Sequence, residues 1–259
     1  GILIRGHNDA TAPYDYYDQN FTVGMNGAGN TIANFGGNAS ATCYGIYVIY
    51  HDGQRIVGNS VNNTVSPFTA TGYGIFNSTS YNSDITIDSN IVEVLSDATG
   101  SSMYGIYVSP GTNGTDNTVS ISNNNVSDCV RTLATTGAFT AIQHSSTTTK
   151  YINISNNIVA DNSLSGTGAF TGIDAGGGTT PGSKITMNQN YVIRNEKTGT
   201  HGNMYCIRAS GDTVELTYNT VDSNSLSATS GASACYMYGY YNLGSPKSES
   251  IYGNTFSHL

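Results

Sequence analysis

The chain has 259 residues, of which only 10% are charged, against about 25% in an ordinary soluble domain. Its net charge of −8 and its nine Lys and Arg leave no basic run for a phosphate stripe, so nucleic acid is not an expected partner. No window approaches the ~18 consecutive apolar residues of a membrane-spanning helix, so membrane insertion is not expected either.

Hydrophobic content is 37%, too high for a disordered polar chain. Gly, Ser, Thr and Asn, with 19 Tyr and no Trp, suit short strands and turns better than helices. In chain order, Ile2-Leu3-Ile4 reads as a first short strand. Val23-Gly-Met-Asn26 then opens a frame that returns as Ile56-Val-Gly-Asn59, Ile87-Asp-Ser-Asn90 and Ile121-Ser-Asn-Asn124. It continues through Ile154-Ser-Asn-Asn157, Met187-Asn-Gln-Asn190, Leu216-Thr-Tyr-Asn219 and Ile251-Tyr-Gly-Asn254. Two residues beyond each Asn stands Ala28, Val61, Val92, Val126, Val159, Val192, Val221 or Phe256. The spacing averages about 33 residues, within the range of solenoid repeats.

A second column lies upstream in each repeat. Tyr44-Gly-Ile46, Tyr73-Gly-Ile75 and Tyr104-Gly-Ile106 are followed by Thr140-Ala-Ile142, Thr171-Gly-Ile173 and Tyr205-Cys-Ile207, with Tyr236-Met-Tyr238 as the last copy. Segments such as Ile85-Thr-Ile-Asp88 alternate apolar and polar residues with period two, as strands do. A longer Ser/Thr/Gly stretch, such as Thr132 to Gly137 or Ser225 to Ser233, has room for a weaker third strand and a surface loop. The expectation is an all-β chain, one domain over 1–259: a right-handed parallel β-helix of about eight coils with two to three short strands per coil.

The paired Ile-x-x-Asn and Gly-Ile motifs resemble the repeats of right-handed parallel β-helix proteins of the pectate-lyase-like superfamily. They are similar above all to the short motifs of polymorphic outer-membrane adhesins, with Ile, Val or Leu in place of Phe. The resemblance implies the fold. It leaves open polysaccharide lyases, glycoside hydrolases, adhesins and structural surface proteins, because a fold does not choose its function.

The Asn column 26, 59, 90, 124, 157, 190, 219 and 254 (Asn26, Asn59, Asn90, Asn124, Asn157, Asn190, Asn219, Asn254) reads as a structural ladder whose amides bond from coil to coil. Strict alternation points Tyr47, Phe76 and Tyr107, just after the repeat Ile, outwards, where rings can stack on sugars or pack against another subunit. In the next coils that row becomes Gln143, Asp174 and Arg208, with His144 beside it; a groove and simple drift on a solvated face are both open readings. Seven residues beyond the repeat Ile stand Asp128, Asp161 and Arg194, with Asp222 and His258 near the equivalent later places. Carboxylates one coil (~5 Å) apart would push one pKa up and form an acid and base pair with Arg194 orienting substrate. A plain surface ion pair is the alternative.

Cys43, Cys129, Cys206 and Cys235 lack metal-ligand spacing and read as buried small hydrophobes, a Cys206–Cys235 disulfide being open. No metal or cofactor is expected. Asn-x-Ser/Thr triplets at Asn20, Asn38, Asn62, Asn77, Asn113, Asn125 and Asn153 are about as frequent as chance allows in so Asn-rich a chain.

The chain starts inside a strand and stops inside a coil, which predicts a processed or excised part of a longer secreted chain and association through strand edges. The functional expectation is a secreted or cell-surface structural β-helix, a scaffold or adhesin that self-assembles into a filament or sheath. The alternatives are a polysaccharide hydrolase or lyase and a non-catalytic glycan-binding module.

Overall fold

A computed structural model describes residues 1–9, 11, 16–36, 40–65, 67–78, 83–110, 116–132, 136–176, 181–228 and 235–259. Asn38 and Asn113, and parts of the two Ser/Thr/Gly stretches (133–135 and 229–233), lie outside the described residues.

The described residues form strands and turns, wound into a parallel β-helix. Three sheets each contain eight strands, and in every one successive repeats are neighbours. The first sheet runs from Ile2–Arg5 to Met237–Asn242, the second from Thr22–Val23 to Ser248–Tyr252, and the third from Thr31–Ala33 to Thr255–Ser257. A fourth sheet of five strands, from Leu95–Ser96 to Ser225–Ala228, gives the middle coils four strands where two to three are expected. The extra strand comes from splitting the signature: Ile-x ends a second-sheet strand, the next residue and the Asn turn a corner, and the following x-Val belongs to the third sheet.

Pairing is parallel and in register, as with Ile87 opposite both Ile56 and Ile121. Equivalent apolar residues therefore stack into columns, and Ile46, Ile75, Ile106, Ile142, Ile173 and Ile207 of one column are wholly buried. Each such side chain contributes about 2–3 kcal/mol by leaving water, which is how short strands hold without helices.

The Gly of the Gly-Ile motif has a steric cause. A Cβ on Gly74 would lie 2.4 Å from Val92 Cγ1 of the third sheet and 2.7 Å from the Gly105 carbonyl oxygen. Gly45 and Ile46 are buried in succession, so the strand leaves strict alternation and Tyr44 and Tyr47 reach the same outer face.

The asparagine ladder is built more tightly than stacking alone requires. Each Nδ2 donates to the next coil's Oδ1 at 2.9–3.0 Å, from Asn30 through Asn59, Asn90, Asn124, Asn157, Asn190 and Asn219 to Asn254. The same oxygen takes the backbone N–H of the preceding Asn, and the second Nδ2 proton goes to a backbone carbonyl one coil back, as in Asn124 to Ile87. The Asn itself does not adopt the left-handed backbone. The residue before it does, with φ of 54–70° at Gly58, Ser89, Asn123, Asn156, Gln189, Tyr218 and Gly253.

Two positions differ from the sequence expectation. Asn26 is not in the ladder; Asn30 holds its place, because residues 24–29 form an extra turn closed by Ala28 N–H to the Met25 carbonyl at 3.0 Å. Ile32, not Ala28, is then the core residue opposite Val61. The last Tyr-Gly-Ile copy is Tyr238-Gly-Tyr240, since Tyr238 pairs with Tyr205 and Tyr240 with Ile207.

Candidate functional site

The outer face of the first sheet concentrates the chemistry. Tyr44 and Tyr47, Tyr73 and Phe76, and Tyr104 and Tyr107 form two columns on strands Cys43–Ile49, Gly72–Ser78 and Met103–Ser109. Their ring centroids are 4.6–5.5 Å apart, mostly stacked and turning edge-on at Tyr107. All six rings are half-buried, so each keeps part of its surface open. Leu3 continues the Tyr47 column and helps line a small apolar hollow with Ile2, Tyr44 and Tyr47. Burial pushes the phenols of Tyr47, Tyr73 and Tyr104 up, so these rings stay neutral at physiological pH.

On strands Phe139–Ser145 and Phe170–Gly176 the rings give way to Thr140 and Gln143, then Thr171 and Asp174. Rings return on Met204–Ala209 and Met237–Asn242, where Tyr205, Tyr238 and Tyr241 pack with centroids 4.9–5.3 Å apart. Between the two aromatic platforms lies a polar saddle. Its floor is buried, with Thr140, Thr171 and Asp174 exposed by 7, 3 and 2%. Its rim of Tyr107, Gln143, Tyr205 and Arg208 is half-exposed.

Asp174 Oδ2 accepts from Arg208 Nη2 and, at 3.4 Å, from Gln143 Nε2. Asp174 Oδ1 and Arg208 Nε are buried and have no hydrogen-bond partner among the described residues. The Arg208 guanidinium also lies over the Tyr205 ring, 5.3 Å from its centroid. The structure thus joins Gln143, Asp174 and Arg208 on one face, as their shared column suggests. His144 is not on that face. It points inward and is fully buried, with Nδ1 2.8 Å from the Gly176 carbonyl oxygen and Nε2 2.9 Å from Thr149 Oγ1.

The column Asp128, Asp161, Arg194 lies elsewhere, at the corner leaving the third sheet. All three take left-handed φ of 54–57°, as do Ser223 (54°) and His258 (47°). Ser223, next to Asp222, therefore fills the equivalent place in its coil, and His258 fills it in the last. Short polar residues are favoured where the backbone must be left-handed, which accounts for the Asp residues without catalysis. Arg194 donates to both carboxylate oxygens of Asp161, at 2.8 and 2.7 Å, in full view of solvent. Its guanidinium holds the Asp161 carboxyl below the usual carboxylate range, the reverse of the shift expected for a general acid.

A second Asn ladder escaped the sequence reading. Asn162 Nδ2 donates to Asn195 Oδ1 at 2.8 Å, and Asn195 Nδ2 to Asn224 Oδ1 at 2.9 Å. The signal was present: each stands five residues after a first-ladder Asn, at 157, 190 and 219. Two buried cations were also unforeseen. Arg131 donates to the carbonyls of Ala98 and Ala138, and Lys197 to those of Gly166, Thr198 and His201, each tying a loop to the coil wall.

No disulfide joins the four cysteines; Cys43, Cys129 and Cys206 are buried as expected and Cys235 only half-buried, and burial pushes Cys129 and Cys206 up to about 12. Cys206 fills the Gly slot of its coil. Among the described residues no group of three or more His, Cys, Asp and Glu is placed to hold a metal ion.

Comparison with family models, with curated proteins and with solved structures finds no match. What is shown is the parallel β-helix itself; no match supports the likeness to the pectate-lyase-like superfamily or to outer-membrane adhesin repeats.

Proposed function

We propose that this chain is a non-enzymatic scaffold of the cell surface or extracellular space, an adhesin-like rod that holds an aromatic strip against extended glycans. The observation that carries the reading is the six-ring strip from Tyr44 to Tyr107, half-open and fixed in register by the parallel sheet beneath it. Sugar rings present apolar C–H faces, and aromatic rings on a rigid support bind such faces with little ordering cost. The strands that hold the rings cannot slip without turning the core columns outwards.

An enzyme centred on Asp161 is less well supported, because that carboxylate is already satisfied by Arg194. Self-assembly through the last coil is also the weaker form of the reading. That coil turns Tyr240 and Glu249 to positions where the preceding coil has Ile207 and Val214, and joins them at 2.6 Å. A coil stacked there would bury Glu249.

Retention on insoluble polysaccharide columns tests the proposal. Wild-type protein should be retarded, and Tyr47→Ala, Phe76→Ala and Tyr107→Ala should elute progressively earlier with unchanged circular dichroism. Wild-type elution in the void on every matrix would sink it. Regular filaments in negative stain that vanish with the same substitutions would reassign the strip to contact between copies.

A further inference from the structure

The saddle between the aromatic platforms breaks the strip where a simple stacking surface would continue it. Gln143 follows Tyr107 in the same outward column, in register. Tyr in that place would be sterically ordinary, since Tyr47, Phe76 and Tyr107 occupy it in the preceding coils. The column instead descends to a carboxylate that is 2% exposed and only half satisfied.

A buried carboxylate oxygen without a donor is costly, and so is a buried guanidinium N–H without an acceptor. Here the two occur on partnered residues, Asp174 Oδ1 and Arg208 Nε. One group that both donates and accepts, or two adjacent hydroxyls, would satisfy both. Gln143 is the weakest-held member of the cluster: its amide reaches Asp174 at 3.4 Å, near the limit of a hydrogen bond. It bonds Oδ2, which Arg208 already holds, so it can move aside for a ligand hydroxyl that donates to Oδ1.

Resting on the glycan-binding reading above, we propose that the Asp174–Arg208 saddle is the specificity subsite of the strip, taking one neutral pyranose unit through a vicinal diol. The Gln143 amide moves off Asp174 Oδ2, which keeps Arg208, to admit the unit; one hydroxyl donates to the unpartnered Oδ1 and its neighbour accepts from Arg208 Nε. Tyr107 and Tyr205 flank the unit on the adjoining coils. Hydroxyl donors suit the site and a uronate does not. The Arg208 cation is already committed to Asp174, so a ligand carboxylate would meet Asp174 without a free countercharge from that pair. The chain's net charge of −8 acts in the same direction.

The test is affinity electrophoresis of the whole chain in gels cast with glucomannan, xylan or polygalacturonate. Wild type should be retarded by a neutral glycan and not by polygalacturonate. Asp174→Asn keeps the shape and removes the charge, and should weaken retardation about tenfold, the loss expected of one charge-assisted hydrogen bond. Gln143→Tyr lengthens the aromatic column over the saddle, keeps the buried pair intact and protects the test against a folding failure of the first variant. If the saddle is the subsite, it weakens neutral-glycan binding as well.

Binding that is strengthened by Gln143→Tyr, or unchanged in a folded Asp174→Asn, would overturn the subsite while leaving the aromatic strip standing. Retardation by polygalacturonate alone would overturn the neutral-sugar assignment. No retardation in any gel would remove both readings together.

Discussion

Asn124 and Asn157 are joined twice over: the Asn157 side-chain oxygen accepts both the Nδ2 and the backbone N–H of Asn124, each at 3.0 Å. Asn157 in turn donates to the Ile121 carbonyl at 2.9 Å and to Asn190 Oδ1 at 3.0 Å. Asn157→Ala would therefore take hydrogen bonds from three neighbours and strand the backbone N–H and one Nδ2 proton of Asn124, while Asn190 Oδ1 keeps the backbone N–H of residue 157. At about 1–3 kcal/mol for each unmade partner, the expected loss is on the order of 4 kcal/mol in urea unfolding. Asn30→Ala, at the exposed end of the ladder, should cost under about 1 kcal/mol. Equal losses at the two sites would mean that the ladder is not the source of the stability.

Cys129 stands in the place of an asparagine. Its backbone N–H already donates to Asn162 Oδ1 at 3.0 Å, as the ladder requires, and its Sγ lies 3.8 Å from the Val92 carbonyl oxygen. In the next coils Asn162 and Asn195 bond the matching carbonyls of Val126 and Val159 at 3.0 Å. Cys129→Asn should extend the second ladder by one rung and stabilise the protein by about 1 kcal/mol. A lower urea midpoint would show that the slot is too small for the amide.

The columns that the sequence spelled out most plainly were those with one side-chain solution. Ile at the core and Asn at the second-sheet corner recur because volume and amide geometry admit few replacements. What the corners demand besides is a backbone conformation, and Gly, Ser, Asn, Gln and even Tyr218 satisfy it, so that column could not be read by residue type. The same blindness grouped Asp128, Asp161 and Arg194 by charge, whereas the property they share with Ser223 and His258 is a left-handed φ.

Asn26 misled for a different reason. The motif around it is intact, but only Asn30 is followed two residues later by a branched apolar residue, Ile32, able to fill the core. The saddle was half legible. The change of character at Gln143 is visible in the sequence, whereas the burial of Asp174 and the inward turn of His144 arise from packing.

His144 should make stability depend on pH. Burial holds its pKa down to about 4, against 6.5 for the free side chain, and Nδ1 must carry the proton given to the Gly176 carbonyl. The unfolded chain therefore takes up a proton before the folded one does. The stability this residue supports is fully present above about pH 6.5 and is lost as pH falls towards 4, on the order of 3 kcal/mol in all. His144→Gln cannot protonate, so its unfolding free energy should approach and then exceed that of wild type between pH 7 and 4. A constant difference across that range would show that His144 protonates equally well when folded.

The Asp161–Arg194 pair separates the corner column from the first-sheet face. Its bidentate geometry is good, but both side chains are open to water, where attraction is screened and two flexible chains must be held still. Asp161→Asn and Arg194→Gln should each leave the thermal midpoint unchanged within error. Both should also leave retention on polysaccharide columns unchanged, because neither residue lies on the face that carries the rings. Wild-type release of reducing ends from a glycan panel, lost in Asp161→Asn with the fold intact, would reverse this. It would move the functional centre to the corner and leave the aromatic strip as a substrate track.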